Sequence, residues 1–206
     1  MRNAMGSQWG RDSAYVRAIR EGYRSRAAYK LKEIQERFHL IRDTDNVLDL
    51  GAAPGSWLQV TRSITKGRVL GIDLAPIAPL EGVTTLVGDI TDPRMRMEAR
   101  SILGTVNIVL SDASPKLSGN RSYDQARAIG LGEDVLSFAC AVLKPGGNLL
   151  MKSFQGEDFS GLLDDVRQHF LSVKTFRSRA SRKGSSEIYI IARNFVECHG
   201  EAEGPV

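Results

Sequence analysis

The chain has 206 residues, 42% of them hydrophobic, and 28 Lys and Arg stand against 24 Asp and Glu for a net charge of +4. That is enough apolar chain to bury one good core with extensions. No stretch reaches the about 20 consecutive apolar residues of a membrane span, and the opening MRNAMGSQWGRDS holds no apolar run of the kind a signal peptide needs.

Residues 1–12 read as disordered. Asp12 or Ser13 caps a short helix over AYVRAIREG, ended by Gly22. Ser25 caps a second helix, RAAYKLKEIQERF, in which Ala27, Ala28, Leu31, Ile34 and Phe38 recur at helical spacing. Strands and helices then alternate. NVLDL (46–50) is an apolar strand, followed by a Gly-rich turn and a helix across 55–64. RVLGIDL (68–74) is the second strand, and a Pro-bearing loop leads to the third, TTLVGDI (84–90). A helix over 93–103 precedes the strand VNIVLSD (106–112). The loop ASPKLSGNRS leads to a long helix from Tyr123 to Leu143. KPGG reads as its stop and opens the strand NLLMKSF (148–154), and a further helix covers 158–169. LSVKTFRSR and SSEIYIIARNF read as two final strands joined by a basic, Gly-containing loop.

This alternation predicts an α/β fold with a doubly wound, mostly parallel sheet of seven strands and helices on both faces. The last two strands lack a crossover helix, so they are expected to run antiparallel to each other. Residues 13–195 are expected to form a single domain, with 13–45 a helical extension and 196–206 a disordered tail.

Charge is localised. Residues 1–32 hold Arg2, Arg11, Arg17, Arg20, Arg24, Arg26, Lys30 and Lys32 against Asp12 and Glu21 alone. Lys174, Arg177, Arg179, Arg182 and Lys183 form a second run with no acid between them. Two such segments on a nearly balanced body point to a polyanionic partner. Cys140 and Cys198 stand far apart without disulfide or metal-ligand spacing, and His39, His169 and His199 do not cluster with them. No metal site is expected, and the setting is read as reducing and cytoplasmic.

The chemistry gathers at the strand ends. In DLGAAPGSW, Gly51 and Gly55 let backbone pass close to a ligand ahead of a helix N-terminus. Asp73 follows Gly51 by about 20 residues, where an acid hydrogen-bonds ribose hydroxyls. Asp89 ends the third strand and Asp112 the fourth, so four successive strands end in Gly or Asp on one edge of the sheet. That pattern describes a pocket for an adenosine-bearing cofactor without a phosphate cradle, and S-adenosyl-L-methionine fits it best. Lys152, at the end of an apolar strand, is either an anion clamp or an amine placed for proton transfer.

The segments YRSRAAYKL, VLDLGAAPGSWLQV, GIDLAPI, VGDITD, VLSDASPKLSG, LKPGGNLLMKSFQG and SSEIYIIA closely resemble the FtsJ/RrmJ family of ribose 2′-O-methyltransferases, in order and at matching spacing from Ser13 to Phe195. Ser56 stands where a third glycine of the turn is common. The resemblance implies a Rossmann-like methyltransferase domain that methylates a ribose 2′-hydroxyl in RNA. The expected substrate is a uridine of large-subunit ribosomal RNA, free or in the subunit, and the expected state is a monomer.

The family's Lys-Asp-Lys-Glu tetrad falls on Lys30, Asp112, Lys152 and Glu187, and its cofactor contacts on Gly55, Trp57, Asp73, Asp89 and Asp112, to which the reading of the turn adds Gly51. Lys152 is then the general base. A lysine amine accepts a proton only when neutral, and burial and nearby positive charge favour that form. Lys30 and the cofactor's sulfonium supply the charge, while Asp112 and Glu187 position the amine. Arg24, Arg26, Arg177, Arg179, Arg182 and Lys183 become candidate phosphate contacts, and the 13–45 extension an RNA-binding element. Two alternatives share these features: methylation of a tRNA anticodon-loop ribose, and an idle RNA-binding scaffold with this fold. A nucleotide-dependent oxidoreductase is disfavoured because the Ala-Pro turn lacks a pyrophosphate fingerprint.

Overall fold

A computed structural model describes residues 13–116, 118–182 and 184–196. The expected disorder of 1–12 and of the tail beyond Val196 lies outside the described residues, as does Lys183. The elements in chain order are α1 (Ser13–Arg20), α2 (Ala28–Phe38), β1 (Val47–Leu50), α3 (Ser56–Ile64), β2 (Val69–Asp73), β3 (Thr84–Val87), α4 (Pro93–Leu103), β4 (Val106–Ser111), α5 (Arg121–Val142), β5 (Leu143–Phe154), α6 (Phe159–His169), β6 (Phe170–Phe176) and β7 (Glu187–Phe195). The strands form one sheet in the order β3-β2-β1-β4-β5-β7-β6. β7 runs antiparallel to both of its neighbours, and the other pairs are parallel.

Strand parity divides the core. Leu48, Val109, Leu149, Met151 and Ile190 point to a layer built with α4, α5 and α6. Val47, Ile108, Leu110, Leu150, Tyr189 and Ile191 point the other way, onto α2 and α3. Both faces are covered, which is why the central strands read as near-continuous apolar runs.

Local chemistry sets the ends. Asp92 accepts the amide of Arg94 and Pro93 opens α4, so the helix starts where its first donors are satisfied. Asn120 caps α5 by accepting the Tyr123 amide, which starts that helix two residues before the expected Tyr123. Ser25 Oγ accepts the Ala27 amide at 3.2 Å in the turn preceding α2, so it caps that turn rather than the regular helix.

The largest departure is at KPGG. It does not separate α5 from the next strand but lies inside β5, as a bulge between the pairs Val106–Leu143 and Ile108–Asn148. Gly146 takes φ +76°, and a Cβ on Gly147 would meet the Lys144 and Asn107 carbonyls at 2.9 and 3.1 Å. Only glycines fit that fold of the strand, so the same residues that suggest a stop serve as a bulge.

Candidate active site

Four strand ends and one helix build the site. In β5, Lys152 lies opposite Tyr189 of β7, and Phe154 opposite Glu187. The side-chain period of two puts Lys152, Tyr189 and Glu187 on the α2 face of the sheet. Asp112 follows β4 directly, beside Lys152. Lys30 comes from α2, whose buried residues are Ala28, Lys30, Leu31 and Ile34, with the N-cap Ala27 packed beside them. Positions 27, 30, 31 and 34 share one helical face, so the lysine is carried onto the sheet by its apolar neighbours.

These side chains form one network. Lys30 Nζ donates to Glu187 Oε2 at 2.8 Å and lies 3.6 Å from Asp112 Oδ1. Lys152 Nζ donates to the backbone carbonyl of Asp112 at 2.6 Å and lies 3.3 Å from its Oδ1. The Tyr189 hydroxyl faces Asp112 Oδ1 at 2.8 Å and Glu187 Oε1 at 3.2 Å, and Ser181 donates to the same Glu187 oxygen. Two cations thus face two carboxylates, with Lys30 and Glu187 both buried. Burial pushes the Glu187 carboxyl up, but Lys30 and the Ser181 bond more than offset it and hold it below its ordinary value. Burial, then the charges of Asp112 and Glu187, push the Tyr189 phenol well above its ordinary value, so it stays a hydrogen-bond donor. The expectation that Glu187 positions Lys152 takes a different form here: Glu187 bonds to Lys30, and Asp112 holds Lys152.

A cavity of about 180 Å³ adjoins the network, lined by Asp49, Gly51, Ser56, Trp57 and Asp112 among others. Gly51 takes φ +71°, and a Cβ there would stand 2.5 Å from the Ala113 Cβ, so this turn needs a residue without one. Gly55, at φ +103°, is the N-cap of α3. Asp73 braces the turn, its Oδ2 accepting from Ala53 N at 2.9 Å and its Oδ1 from Ala75 N at 2.8 Å. Asp89 lies just beyond β3 in an exposed loop, where Oδ1 accepts from the Thr91 amide and hydroxyl. Trp57 lines the cavity while its indole N–H donates to the Ala27 carbonyl at 2.9 Å. The cavity lining holds two carboxylates and a glycine turn and, among the described residues, no Lys or Arg, which suits a small ligand carrying positive charge.

Among the described residues, the candidate phosphate contacts are tied to α2, to the Gly-rich turn and to the β6–β7 loop. Arg24 donates to the Pro54 and Pro79 carbonyls at 3.0 and 2.8 Å, which ties the segment before α2 to the Gly-rich turn and to the loop after β2. Arg26 reaches the Ala180 carbonyl at 3.4 Å, and Arg177 donates to Gln155 at 2.7 Å. Arg179 pairs with Glu33 at 2.9 Å with its side chain 92% exposed. Arg182 lies in the same loop. Glu33 of α2 also accepts from Ser178 Oγ and the Arg179 amide, so one carboxylate binds the two basic segments together. The sequence reading missed Asp49, Glu33, Ser181 and Tyr189. Asp49 and Tyr189 carry a signal, an acid and a phenol inside strands buried on both faces, whereas Glu33 and Ser181 carry none.

Among the described residues no group of His, Cys, Asp and Glu could hold a metal ion, and no helix is long and apolar enough to cross a membrane. Comparison with known proteins points one way. Two proteins named ribosomal RNA large subunit methyltransferase E are similar along nearly the whole chain. The one from Methanosphaerula palustris is 60% identical, covering 98% of this chain and 100% of its own. That from Methanoculleus marisnigri is 65% identical with the same coverage. The crystal structure of a Plasmodium falciparum protein described as a ribosomal RNA methyltransferase superposes with a TM-score of 0.76 at 28% identity, covering 84% of this chain and 98% of that one. A family model described as FtsJ-like methyltransferase matches residues 23–195, spanning the network, the cavity and the β6–β7 loop, and the chain belongs to that family.

Proposed function

We propose that the protein transfers a methyl group from S-adenosylmethionine to a ribose 2′-hydroxyl of large-subunit ribosomal RNA. The observation that carries this is that Asp112 lines the cavity and also holds Lys152, so one residue joins the cofactor site to the amine. Gly51, Gly55, Trp57, Asp73, Asp89 and Asp112 are the residues that would hold the cofactor. When bound, it supplies an electrophilic methyl group.

Lys30, Asp112, Lys152 and Glu187 are the proposed catalytic tetrad. In its neutral form the Lys152 amine keeps two N–H bonds for the two Asp112 oxygens and turns its lone pair to the ribose hydroxyl. Asp112 fixes that orientation. Lys30, held by Glu187, keeps positive charge beside the oxyanion as the proton leaves. Orientation supplies much of the rate, since donor, methyl and acceptor oxygen must be in line.

Residues 13–45 form the proposed RNA-binding extension of a domain that runs to residue 195. A cleft of about 860 Å³ runs along it, where Arg17, Lys32 and Arg179 alternate with Glu21, Glu33 and Glu36 around Tyr29. Its contacts, with Arg24, Arg26, Arg177 and Arg182, would position phosphate without reading sequence.

The test is methyl transfer to large-subunit ribosomal RNA and to the assembled subunit, with ribose methylation mapped by mass spectrometry. Lys152→Ala is expected to abolish transfer while S-adenosylmethionine still binds. Near-native turnover in that variant overturns the base assignment, and methylation of tRNA alone overturns the substrate.

A further inference from the structure

We propose that Glu33 is a positioning residue for methyl transfer: it fastens the turn 178–181 to α2 and so holds the Ser181 hydroxyl against Glu187. The inference rests on the methyl-transfer reading.

Glu33 follows Lys30 by three positions on α2, so the two side chains leave the helix as neighbours. Glu33 Oε2 accepts from Ser178 Oγ at 2.6 Å and from the Arg179 amide at 2.9 Å. Ser178 is buried, its hydroxyl also accepts from the Ala180 amide at 3.0 Å, and its carbonyl accepts from the Ser181 amide at 3.2 Å. Residues 178–181 thus close on themselves as a turn, and anchoring the first two fixes the fourth. That fourth residue, Ser181, donates to Glu187 Oε1. Glu187 Oε2 in turn accepts from Lys30 at 2.8 Å. The path leaves α2 at Glu33 and returns to it at Lys30, through a loop some 145 residues further along the chain.

The proton count on Glu187 gives Ser181 its role. Lys30 serves one carboxylate oxygen, while Ser181 and Tyr189 face the other. Tyr189 has a single hydroxyl proton, and that hydroxyl lies nearer Asp112 Oδ1, at 2.8 Å, than Glu187 Oε1, at 3.2 Å. Ser181 is therefore the donor that holds Oε1. A carboxylate held at one oxygen alone can turn about its side-chain bonds and carry the Lys30 amine with it. A displaced amine stabilises the developing oxyanion less well.

The anchor is the pair of bonds at Oε2 rather than the ion pair. The Arg179 side chain that reaches Oε1 is exposed, and ion pairs of that kind contribute little. Burial pushes the Glu33 carboxyl up, but its bonds to Ser178 and Arg179 more than offset this, so it stays ionised as an acceptor.

The test is a double-variant cycle on methyl transfer to large-subunit ribosomal RNA at saturating S-adenosylmethionine, with Glu33→Ala, Ser181→Ala and the two combined. Each single variant is expected to lower kcat about tenfold. The double variant is expected to be no slower than the worse single one, because Glu33 acts through Ser181. KM for the RNA is not expected to rise in Glu33→Ala, since the change removes an acid from the mixed-charge cleft. Glu33→Gln keeps an oxygen for Ser178 and the Arg179 amide and is expected to recover most of kcat.

Rate losses that multiply in the double variant overturn the proposal. So does native kcat in Ser181→Ala, or a Glu33→Gln protein as slow as Glu33→Ala. If Glu33→Ala fails to fold, Ser178→Ala removes one of the two Oε2 bonds and takes its place in the cycle, under the same criteria. Absence of transfer by the native protein defeats the methyl-transfer reading instead, and this inference with it.

Discussion

Lys152 and Asp112 are joined twice, through the backbone carbonyl at 2.6 Å and toward the carboxylate at 3.3 Å. The backbone bond survives any change of side chain at 112, but the orientation of the amine does not. Asp112→Asn is therefore expected to lower the transfer rate on the order of 100-fold, by misplacing the proposed base. It is also expected to weaken S-adenosylmethionine, because Asp112 lines the cavity. Single-turnover rates and calorimetric affinities separate the two effects, and a variant altered in neither refutes the link.

Lys30 and Glu187 form a buried pair. Removing one partner strands the other, so Glu187→Gln is expected to destabilise by about 3 kcal/mol. Lys30→Met combined with Glu187→Gln is expected to recover at least about 1 kcal/mol of that loss. Urea unfolding of the four proteins closes the cycle. A double variant weaker than either single one contradicts the account.

Two buried acids give opposite dependences on pH. Glu187 has a folded value below its ordinary 4.5. The unfolded chain takes up its proton first on acidification, so this stabilisation is present above 4.5 and lost as pH falls through the folded value. Asp49 has a folded value well above 3.8, so the folded chain holds its proton longer and stability declines as pH rises from 3.8 toward that value. Thermal melts across pH are expected to show Glu187→Gln losing less on acidification. Asp49→Asn is expected to gain on the native protein as pH rises from acid to neutral.

Gly51→Ala places a methyl group where the Ala113 Cβ would be 2.5 Å away, at φ +71°. The turn or the segment after β4 must move, at about 1–3 kcal/mol. Because both border the cavity, cofactor affinity is expected to fall with stability. Melting and calorimetry on the same sample check this, and full affinity would show that the turn is not part of the cofactor site.

Binding to ribosomal RNA is expected to weaken linearly in log affinity against log salt. Arg179→Ala is expected to lower that slope by about one while leaving methyl transfer at saturating RNA intact. Filter binding over a salt series reads the slope. A flat salt response contradicts phosphate contact by this loop.

Much of the fold follows from patterns that act between near neighbours in the chain. Apolar strand runs alternate with helical periods, and Gly51, Asp73 and Asp112 mark strand ends. Lys30 occupies a position of the apolar stripe of α2, which already sets it apart from a surface lysine. The Gly-Gly of β5 shows the limit of such reading, because a glycine pair serves a helix stop and a strand bulge equally well. Pairing with β4 selects the bulge.

What the amino-acid order determined alone is therefore the set of elements and the residue types waiting at their ends. Partner choice belonged to the tertiary structure. Glu187 finds Lys30 across 157 residues, Tyr189 finds Asp112 across 77, and Glu33 captures Ser178 across 145. Those contacts depend on strand order and register, and a one-residue slip in β7 would turn Tyr189 and Glu187 to the opposite face. The burial of Asp49 beside the cavity is likewise a property of the packed state, since only the closed sheet brings β1 between β2 and β4.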